Sequence, residues 1–304
     1  MINAEPSPPG DLLRDWLRQV PPDRPVLIAG PTASGKSGLA LALARAQGRA
    51  VVNADALQVY DCWQVLTARP SAQDAAQVPH RLYGHVARGQ GYSVGHWLRE
   101  VAAVLAADPR PVIVGGTGLY FTALTEGLAD IPPTPPEVRA KADARMAAEG
   151  AGALLAELDA ATAARIDRLN PVRIQRAWEV LAATGQGLAH WQDRTGPPLL
   201  PLERVHALVL RPDPAWLGAR IDQRFAEMVQ TGALDEVRAQ LAHWAPGQPW
   251  ARAIGAPELV AHLRGEMTLD QAVAAGCTAT RQYAKRQRTW MRNRLSRWLA
   301  LSLP

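Results

Sequence analysis

Cysteine is scarce in this chain of 304 residues, and its two cysteines, Cys62 and Cys277, lie far apart in the sequence. No Cys-x-x-Cys pair and no mixed cysteine–histidine spacing occurs, which argues against a structural zinc site. Two isolated thiols do not form a disulfide framework, and reduced thiols are typical of the cytosol. The sequence therefore predicts a fold that depends on its apolar core.

Long apolar runs are also missing. The first apolar run, at residues 25–30, is too short to cross a bilayer, and no signal peptide precedes it. We therefore expect a cytoplasmic protein with no membrane partner, and we expect a monomer. Internal repeats and low-complexity tracts are absent too. With 48% hydrophobic and 20% charged residues, the composition predicts one large globular domain, or a core with a sizeable insert.

Acidic residues are absent from the end of the chain. None follows Asp270, whereas the net charge of the whole chain is only +5. The basic residues of this stretch are Arg281, Lys285, Arg286, Arg288, Arg292, Arg294 and Arg297. A basic block beside a nearly balanced remainder predicts a polyanionic partner.

Short apolar segments alternate with helical patterns over most of the chain. Strands are predicted at 24–30, 50–53, 111–115 and 203–210, and helices at 11–20 and 37–45. This alternation predicts an α/β fold, in which a parallel sheet carries helices on both faces. Further helices are predicted at 216–231 and 232–244, followed at 268–301 by a small helix and a long basic one.

The pattern changes at the proline-rich residues 131–136. From there to about Trp191 every segment has helical spacing. The predicted organisation is therefore a P-loop α/β core formed by 1–129 and 196–304, interrupted by an all-helical insert at 130–195.

One glycine-rich segment fits the phosphate-loop pattern Gly-x4-Gly-Lys-Ser/Thr and lies between a predicted strand and a predicted helix. It consists of Gly30, Pro31, Thr32, Ala33, Ser34, Gly35, Lys36 and Ser37. Backbone N–H groups and the helix N-terminus form an anion site there. Lys36 would reach the distal phosphates, and the Ser37 hydroxyl would bind Mg2+. The motif predicts a pyrophosphate group without identifying the molecule that carries it.

Two further groups follow predicted strands. Asp55 comes after the second strand, where a carboxylate serves as a general base or holds a metal-bound water, but a helix N-cap remains an equal alternative. The glycine loop 115–118 follows the third strand and carries Thr117 where ligands bind in open α/β sheets, although a plain tight turn is also possible. The third strand has no terminal Asp, which argues against an ATP-hydrolysing enzyme.

Eight segments, in this order along the chain, resemble the tRNA dimethylallyltransferase family. They are GPTASGKS (30–37), DALQVY (55–60), TARP (67–70), PHRL (79–82), GGTGLYFTAL (115–124), PVRIQRAWEVLAATG (171–185), RIDQRF (220–225) and TRQYAKRQRTW (280–290). The combination is specific, whereas each single segment is less so. The sequence departs from the family's usual pattern at Ala56 in place of Ser, at Gln64-Val65-Leu66 in place of Asp-Ile-Gly, at Arg69 in place of Lys, and at Ala256 in place of Tyr.

The resemblance implies a reaction and its participants. The phosphate loop would hold dimethylallyl pyrophosphate with Mg2+, and adenosine 37 of tRNAs reading codons that start with U would be flipped out and prenylated on N6. The implied catalytic residues are Lys36, Asp55, Thr117 and Arg224. The implied tRNA-contacting residues are Asp55, Ala56, Leu57, Gln58, Arg139, Val172, Arg173, Ile174, Gln175, Arg176, Arg252, Ala253, Ile254, Gly255, Arg281, Lys285 and Arg288.

The basic C-terminal segment would act as a surface for phosphates. If 280–298 is one helix, Arg281, Lys285, Arg288 and Arg292 lie on one stripe, and Trp290, Met291 and Trp298 on the other side. A solvated charged face is the alternative. Three other functions also remain open: a P-loop small-molecule kinase, a prenyltransferase acting on free adenine nucleotides, and a non-catalytic RNA-binding module.

Overall fold

A six-stranded parallel sheet lies at the centre of the computed structural model, which describes residues 16–303. The strands of this part of the chain are β1 (Val26–Ala29), β2 (Val51–Asn53), β3 (His80–Arg81), β4 (Val112–Gly115), β5 (His206–Pro212) and β6 (Leu299–Leu303). Their order in the sheet is β3-β2-β4-β1-β5-β6. The prediction of an α/β fold with a parallel sheet is confirmed.

Strand β1 is central and buried along its whole length. Ile28 lies opposite Val114 of β4 on one side and opposite Leu208 of β5 on the other. Side chains of a strand alternate between faces, so Leu27 packs in one apolar cluster and Ile28 in another. Helices cover both faces because both faces of β1 are apolar.

Four helices connect the first four strands and follow β4: α1 (Lys36–Gln47), α2 (Ala72–Gln77), α3 (Val94–Ala107) and α4 (Gly118–Glu126). Helix α3 begins at a capping box, in which the Ser93 side chain accepts from the His96 N–H and His96 bonds back to the Ser93 N–H. The predicted helix at 11–20 begins outside the described residues, and 16–19 are helical.

The chain is divided into two compact units. One contains the chain up to Thr125 and from Leu200 onward, and the other runs from Glu126 to Leu199, a stretch that encloses residues 130–195. The helices of the second unit are α5 (Pro136–Glu149), α6 (Ala151–Ala156), α7 (Ala160–Arg165), α8 (Pro171–Thr184) and α9 (Leu188–Gln192). Its core is small and apolar, centred on Leu154, Ile174 and Trp178.

After β5 the chain is helical until β6, with α10 (Pro214–Met228), α11 (Leu234–Gln240), α12 (Ala256–Leu263) and α13 (Leu269–Arg294). A π-helical turn at Val229–Ala233, with Gly232 at φ 123°, separates α10 from α11. Among the described helices, none is long and apolar enough to cross a membrane.

The end of the chain corrects one prediction. Residues 268–301 were expected to form a small helix and a long basic one, but α13 is a single helix of 26 residues that ends at Arg294. The leucine-rich residues that follow form β6, which pairs with β5. Leu301 and Leu303, two residues apart, both pack in the apolar core on one face of the sheet. Pairing with β5 and burial of every second side chain therefore favour a strand here over a longer helix.

Candidate functional site

The phosphate loop, residues 30–37, connects β1 to α1 in a tightly folded form. Ala33 and Gly35 adopt positive φ values of 63° and 82°. The Ser34 N–H donates to the Pro31 carbonyl at 3.3 Å, and the Lys36 Nζ donates to the same carbonyl at 3.3 Å. A Cβ at Gly30 would lie 2.7 Å from the Ser34 Oγ, so glycine is required at the start of the loop.

The loop has the properties of an anion site. Helix α1 begins at Lys36, and no described side chain caps its N-terminus, so its first N–H groups can bind an anion. Ser34 is 1% exposed, and its Oγ has no hydrogen-bond partner within residues 16–303. A buried hydroxyl without a partner beside a helix N-terminus fits a phosphate oxygen.

Metal binding at this loop depends on few protein groups. Ser37 is exposed and offers one hydroxyl oxygen. The described chain contains no cluster of three or more His, Cys, Asp or Glu residues that could hold a metal ion. The described side chains at this loop would therefore supply few ligands to a metal ion, and the others would come from a bound pyrophosphate and water.

Asp55 lies in the loop after β2, and its environment decides between the two sequence-based interpretations. No helix follows it directly, because α2 begins only at Ala72. The Asp55 Oδ1 accepts the Leu57 N–H at 3.0 Å, which closes a local turn. The helix-cap interpretation is therefore wrong. A Cβ at Gly116 would lie 3.4 Å from the Asp55 Oδ2, which places the second oxygen at the neighbouring glycine loop.

Thr117 and the glycines around it join the ends of β2 and β4. The Thr117 Oγ1 accepts the Ala56 N–H at 2.9 Å, and the Thr117 N–H donates to the Ala54 carbonyl at 3.2 Å. A Cβ at Gly115 would lie only 2.0 Å from the Ala54 carbonyl oxygen. The second glycine loop, residues 115–118, therefore packs closely against the backbone after β2 and is more than a plain turn.

Helix α10 brings two guanidinium groups to the phosphate loop. It buries Leu217, Ile221 and Phe225 at four-residue intervals. Arg220 directly precedes Ile221, and Arg224 directly precedes Phe225. Arg224 donates to the Thr32 Oγ1, and the Arg220 Nε donates to the Ala33 carbonyl at 3.0 Å. Arg224 was predicted from the sequence, whereas Arg220 was not.

A pocket opens beside these groups. Thr32, Asp55 and Arg224 contribute polar groups to it. The remaining lining residues are Leu57, Leu66, Thr67, Ile221, Phe225, Met228, Ile254, Thr280 and Tyr283. Asp55, Leu57, Arg224 and Ile254, which the sequence picked out separately, are thus brought to one cavity. A charged end and an apolar wall suit a ligand that is anionic at one end and apolar at the other.

Three tyrosines lie within electrostatic range of Asp55. Burial raises the pKa of Tyr83, Tyr120 and Tyr283 well above the usual value for a phenol, and the negative charge of Asp55 raises each further. These phenols therefore stay protonated near neutral pH and cannot act as bases.

Two buried amides of this region were not expected from the sequence. Asn53 is fully buried, and its Nδ2 donates to the carbonyls of Asp55 and Leu82, each at 2.9 Å. Gln287 is 7% exposed and bonds to both glycine-rich loops. The sequence feature that could have revealed Gln287 is a polar residue on the apolar face of a helix, between Ala284 and Met291.

Several of the predicted tRNA-contacting residues of the first unit form hydrogen bonds or packing contacts within the protein. The Gln58 Nε2 donates to the carbonyls of Thr67 and Ala68, and Ala253 is fully buried. Gly255 adopts φ 91°, and a Cβ there would lie 2.4 Å from the ring of Phe225. Ala56 is partly buried, and Arg252 is exposed.

In the helical unit, the predicted residues differ in how much they are exposed. Arg139 and Arg176 both pair with the buried carboxylate of Glu179, at 3.2 and 3.6 Å. The Gln175 Nε2 donates to the Asp143 Oδ1 at 2.6 Å. Val172 and Arg173 are exposed at the start of α8, whereas Ile174 is 2% exposed in the core, so its side chain is not available to a partner.

Three residues of the predicted basic stripe of α13 were also predicted to contact tRNA, and they lie in different environments. Arg281 pairs with Asp222 of α10, which neutralises part of its charge. Lys285 is exposed and Arg288 partly so. Trp298 lies beyond the helix and packs edge-on against Phe121, with ring centroids 5.3 Å apart.

Comparisons with known proteins add to this geometry. The family model described as IPP transferase matches residues 58–294, and one described as isopentenyl transferase matches 24–88. A tRNA dimethylallyltransferase of Cereibacter sphaeroides is 68% identical over 296 residues, which cover 97% of this chain and 94% of that protein. One from Dinoroseobacter shibae is 63% identical over 278 residues, or 91% and 94% of the two chains.

Two solved structures of other proteins are also similar to this chain. A full-length tRNA isopentenylpyrophosphate transferase of Bacillus halodurans is 28% identical with a TM-score of 0.64, covering 92% of this chain and 90% of that one. A eukaryotic dimethylallyltransferase described as acting on tRNA has a TM-score of 0.76 at 24% identity, covering 91% of this chain and 73% of that one. At that identity the second similarity concerns the fold.

Proposed function

The chain belongs to the IPP transferase family, and we infer from its site that it is a tRNA dimethylallyltransferase. It transfers a dimethylallyl group from dimethylallyl pyrophosphate to N6 of adenosine 37 in tRNA. The observation that carries this inference is the shared pocket of Asp55 and Arg224 beside the phosphate loop. The carboxylate faces the acceptor, and the cationic loop holds the leaving group.

The donor binds with its charge at the phosphate loop. The first N–H groups of α1, the Lys36 ammonium and the Arg224 guanidinium surround the pyrophosphate, and its apolar chain packs against side chains such as Ile221 and Phe225. As the bond between C1 and the pyrophosphate oxygen breaks, negative charge grows on that oxygen. Donors already fixed at the loop stabilise this charge without rearranging.

The acceptor needs help because the lone pair of an adenine amine is delocalised into the ring. Asp55 accepts a proton from N6 as the N6–C1 bond forms, so the products are the prenylated adenine, pyrophosphate and one proton. Thr117 fixes the loop that carries Asp55 through its bond to the Ala56 N–H. A stacked base cannot reach C1, so adenosine 37 has to leave the stack of the anticodon loop.

Mg2+ is the metal that we propose for this site. Ser37 would hold it together with pyrophosphate oxygens, and the ion would neutralise charge on the leaving group. We propose a monomeric enzyme. Because the acceptor is tRNA, we also propose a cytoplasmic location and, from the resemblance, preference for tRNAs that read codons starting with U.

The tRNA surface is likewise a proposal. In the first unit, the exposed Lys285 and Arg252 and the partly exposed Arg288 would contact the phosphate backbone. In the second unit, the exposed Arg173 on α8 would make a contact of the same kind. Arg139 and Arg176 would act through their pairs with Glu179, which hold both guanidinium groups in place. Val172, exposed beside Arg173, would offer an apolar contact.

Radiolabelled dimethylallyl pyrophosphate tests this function. The protein is incubated with the label and unmodified tRNA, and in parallel with AMP or ATP as acceptor. We expect label in tRNA and none in the free nucleotides. Label in AMP alone would indicate a prenyltransferase of free nucleotides, and ATP turnover without tRNA would indicate a kinase.

A further inference from the structure

Helix α13 buries two polar side chains on its apolar face, Thr280 and Gln287. The Thr280 hydroxyl donates to the Gly276 carbonyl of its own helix, whereas Gln287, between Ala284 and Met291, has no partner within the helix. A buried amide is stable only when its donor and acceptor both find partners. The position of Gln287 therefore needs a reason that core packing does not supply.

Both ends of the Gln287 amide bind backbone groups of the site. The Oε1 accepts the Thr32 N–H at 2.9 Å, and the Nε2 donates to the Gly116 carbonyl at 2.9 Å. Thr32 belongs to the phosphate loop and receives a hydrogen bond from Arg224. Gly116 precedes Thr117, which fixes the loop of Asp55. The Gln287 side chain thus links the phosphate loop to the second glycine loop.

The fit is tight on the side of Gly116. A Cβ at this position would lie 2.3 Å from the Gln287 Nε2 and 3.4 Å from the Asp55 Oδ2. The amide and the carboxylate therefore approach the same glycine, and a shift of the second glycine loop would change the position of the carboxylate. A change in the side chain at 287 is transmitted to both loops.

We propose that Gln287 is a positioning residue, which sets the distance between the phosphate loop and the second glycine loop so that C1 of the donor faces N6 of the acceptor. This inference rests on the proposed function. Gln287 is not among the residues that line the pocket, and it acts through Thr32 and Gly116. Reaction rates depend steeply on such alignment, because a small displacement removes the near-attack geometry.

Two substitutions and one control test the proposal. Gln287→Met keeps the length of the side chain and removes both hydrogen bonds, whereas Gln287→Asn keeps the amide but is too short to span both loops. Gln282→Met makes the same chemical change at an exposed position of α13. Each variant is examined by thermal melting, by tRNA affinity without donor, and by single-turnover transfer.

We expect the single-turnover rate to fall about tenfold or more in both Gln287 variants, the factor that one or two net hydrogen bonds are worth. Affinity for tRNA should stay within about twofold, because the backbone contacts that dominate it are intact. Gln282→Met should match the wild type. A folded Gln287→Met protein with the wild-type rate would overturn the proposal, and so would a loss confined to tRNA affinity.

Hydrogen exchange separates this inference from the proposed function. Gln287→Met should exchange faster at residues 30–37 and 115–118 than the wild type, with unchanged protection elsewhere. This result stands even if the wild type transfers nothing to tRNA, an outcome that would contradict only the proposed function. Equal protection of both loops in the two proteins would refute the positioning role. If Gln287→Met does not fold, Gln287→Asn serves for the same comparison.

Discussion

Replacement of Asp55 by asparagine separates its chemical role from its structural one. The Asp55 Oδ1 accepts the Leu57 N–H at 3.0 Å, and the side-chain oxygen of asparagine can accept the same bond. The turn after β2 should therefore survive, and the melting temperature should stay close to that of the wild type. Asparagine cannot accept the N6 proton, because its amide is not basic.

The expected loss is that of a general base. Such groups contribute about 10²–10⁴-fold to a rate, which corresponds to about 2.7–5.4 kcal/mol in the activation free energy. Asp55→Ala removes the turn bond as well, so it should lose a similar factor in rate and about 1 kcal/mol in stability. The difference between the two variants isolates the contribution of the turn.

Single-turnover transfer to tRNA, thermal melting and tRNA affinity should be measured together. Asp108→Asn is a matched control, since the Asp108 Oδ1 accepts the Arg110 N–H at 3.1 Å in the same local pattern, away from the pocket. The control should retain full activity. A well-folded Asp55→Asn enzyme with the wild-type rate would refute the base assignment and leave Asp55 as a turn-forming residue.

Three further predictions follow from the structure. Lys36→Ala should reduce turnover by about 10²–10³-fold, the usual loss of one donor to developing negative charge, and wild-type turnover would remove the loop from the mechanism. Neutralising Arg281, Lys285 and Arg288 together should flatten the salt dependence of tRNA affinity by about two units rather than three, because Arg281 is already paired with Asp222. An unchanged slope would leave these residues as a solvated face. Gly276→Ala should lower the free energy of unfolding by about 1–3 kcal/mol, because the added Cβ would lie 2.4 Å from the Phe225 ring. Gly218→Ala, in an open helical position, should raise the free energy of unfolding by about 0.5–1 kcal/mol. Denaturant melts in which both variants change stability in the same direction would contradict this packing.

Strong local patterns made much of this fold predictable from the sequence. The apolar strand at 26–29, the phosphate loop and helix α1 follow one another in the expected order. The sequence did not predict β3, because its two residues, His80 and Arg81, have no apolar alternation. It did not predict β6 either, because a leucine-rich segment after a long helix satisfies helical and extended spacing equally well.

The site was predictable where a residue type carries its own chemistry. Lys36, Asp55, Thr117 and Arg224 were all identified from motifs. Partners that depend on tertiary structure were not: the ion pair of Arg281 with Asp222 joins residues 59 positions apart. Gln287 was part of a recognised motif, but its two backbone partners are 255 and 171 positions away.

The position of the modified nucleoside tests the central claim most directly. The protein is incubated with dimethylallyl pyrophosphate and two unmodified transcripts of one tRNA, with A37 in the first and G37 in the second, and the RNA is digested and analysed by mass spectrometry. We expect a single adenosine carrying one C5H8 addition, at position 37 of the first transcript, and an unmodified second transcript. Equal prenylation of both transcripts, or of neither, would contradict the account.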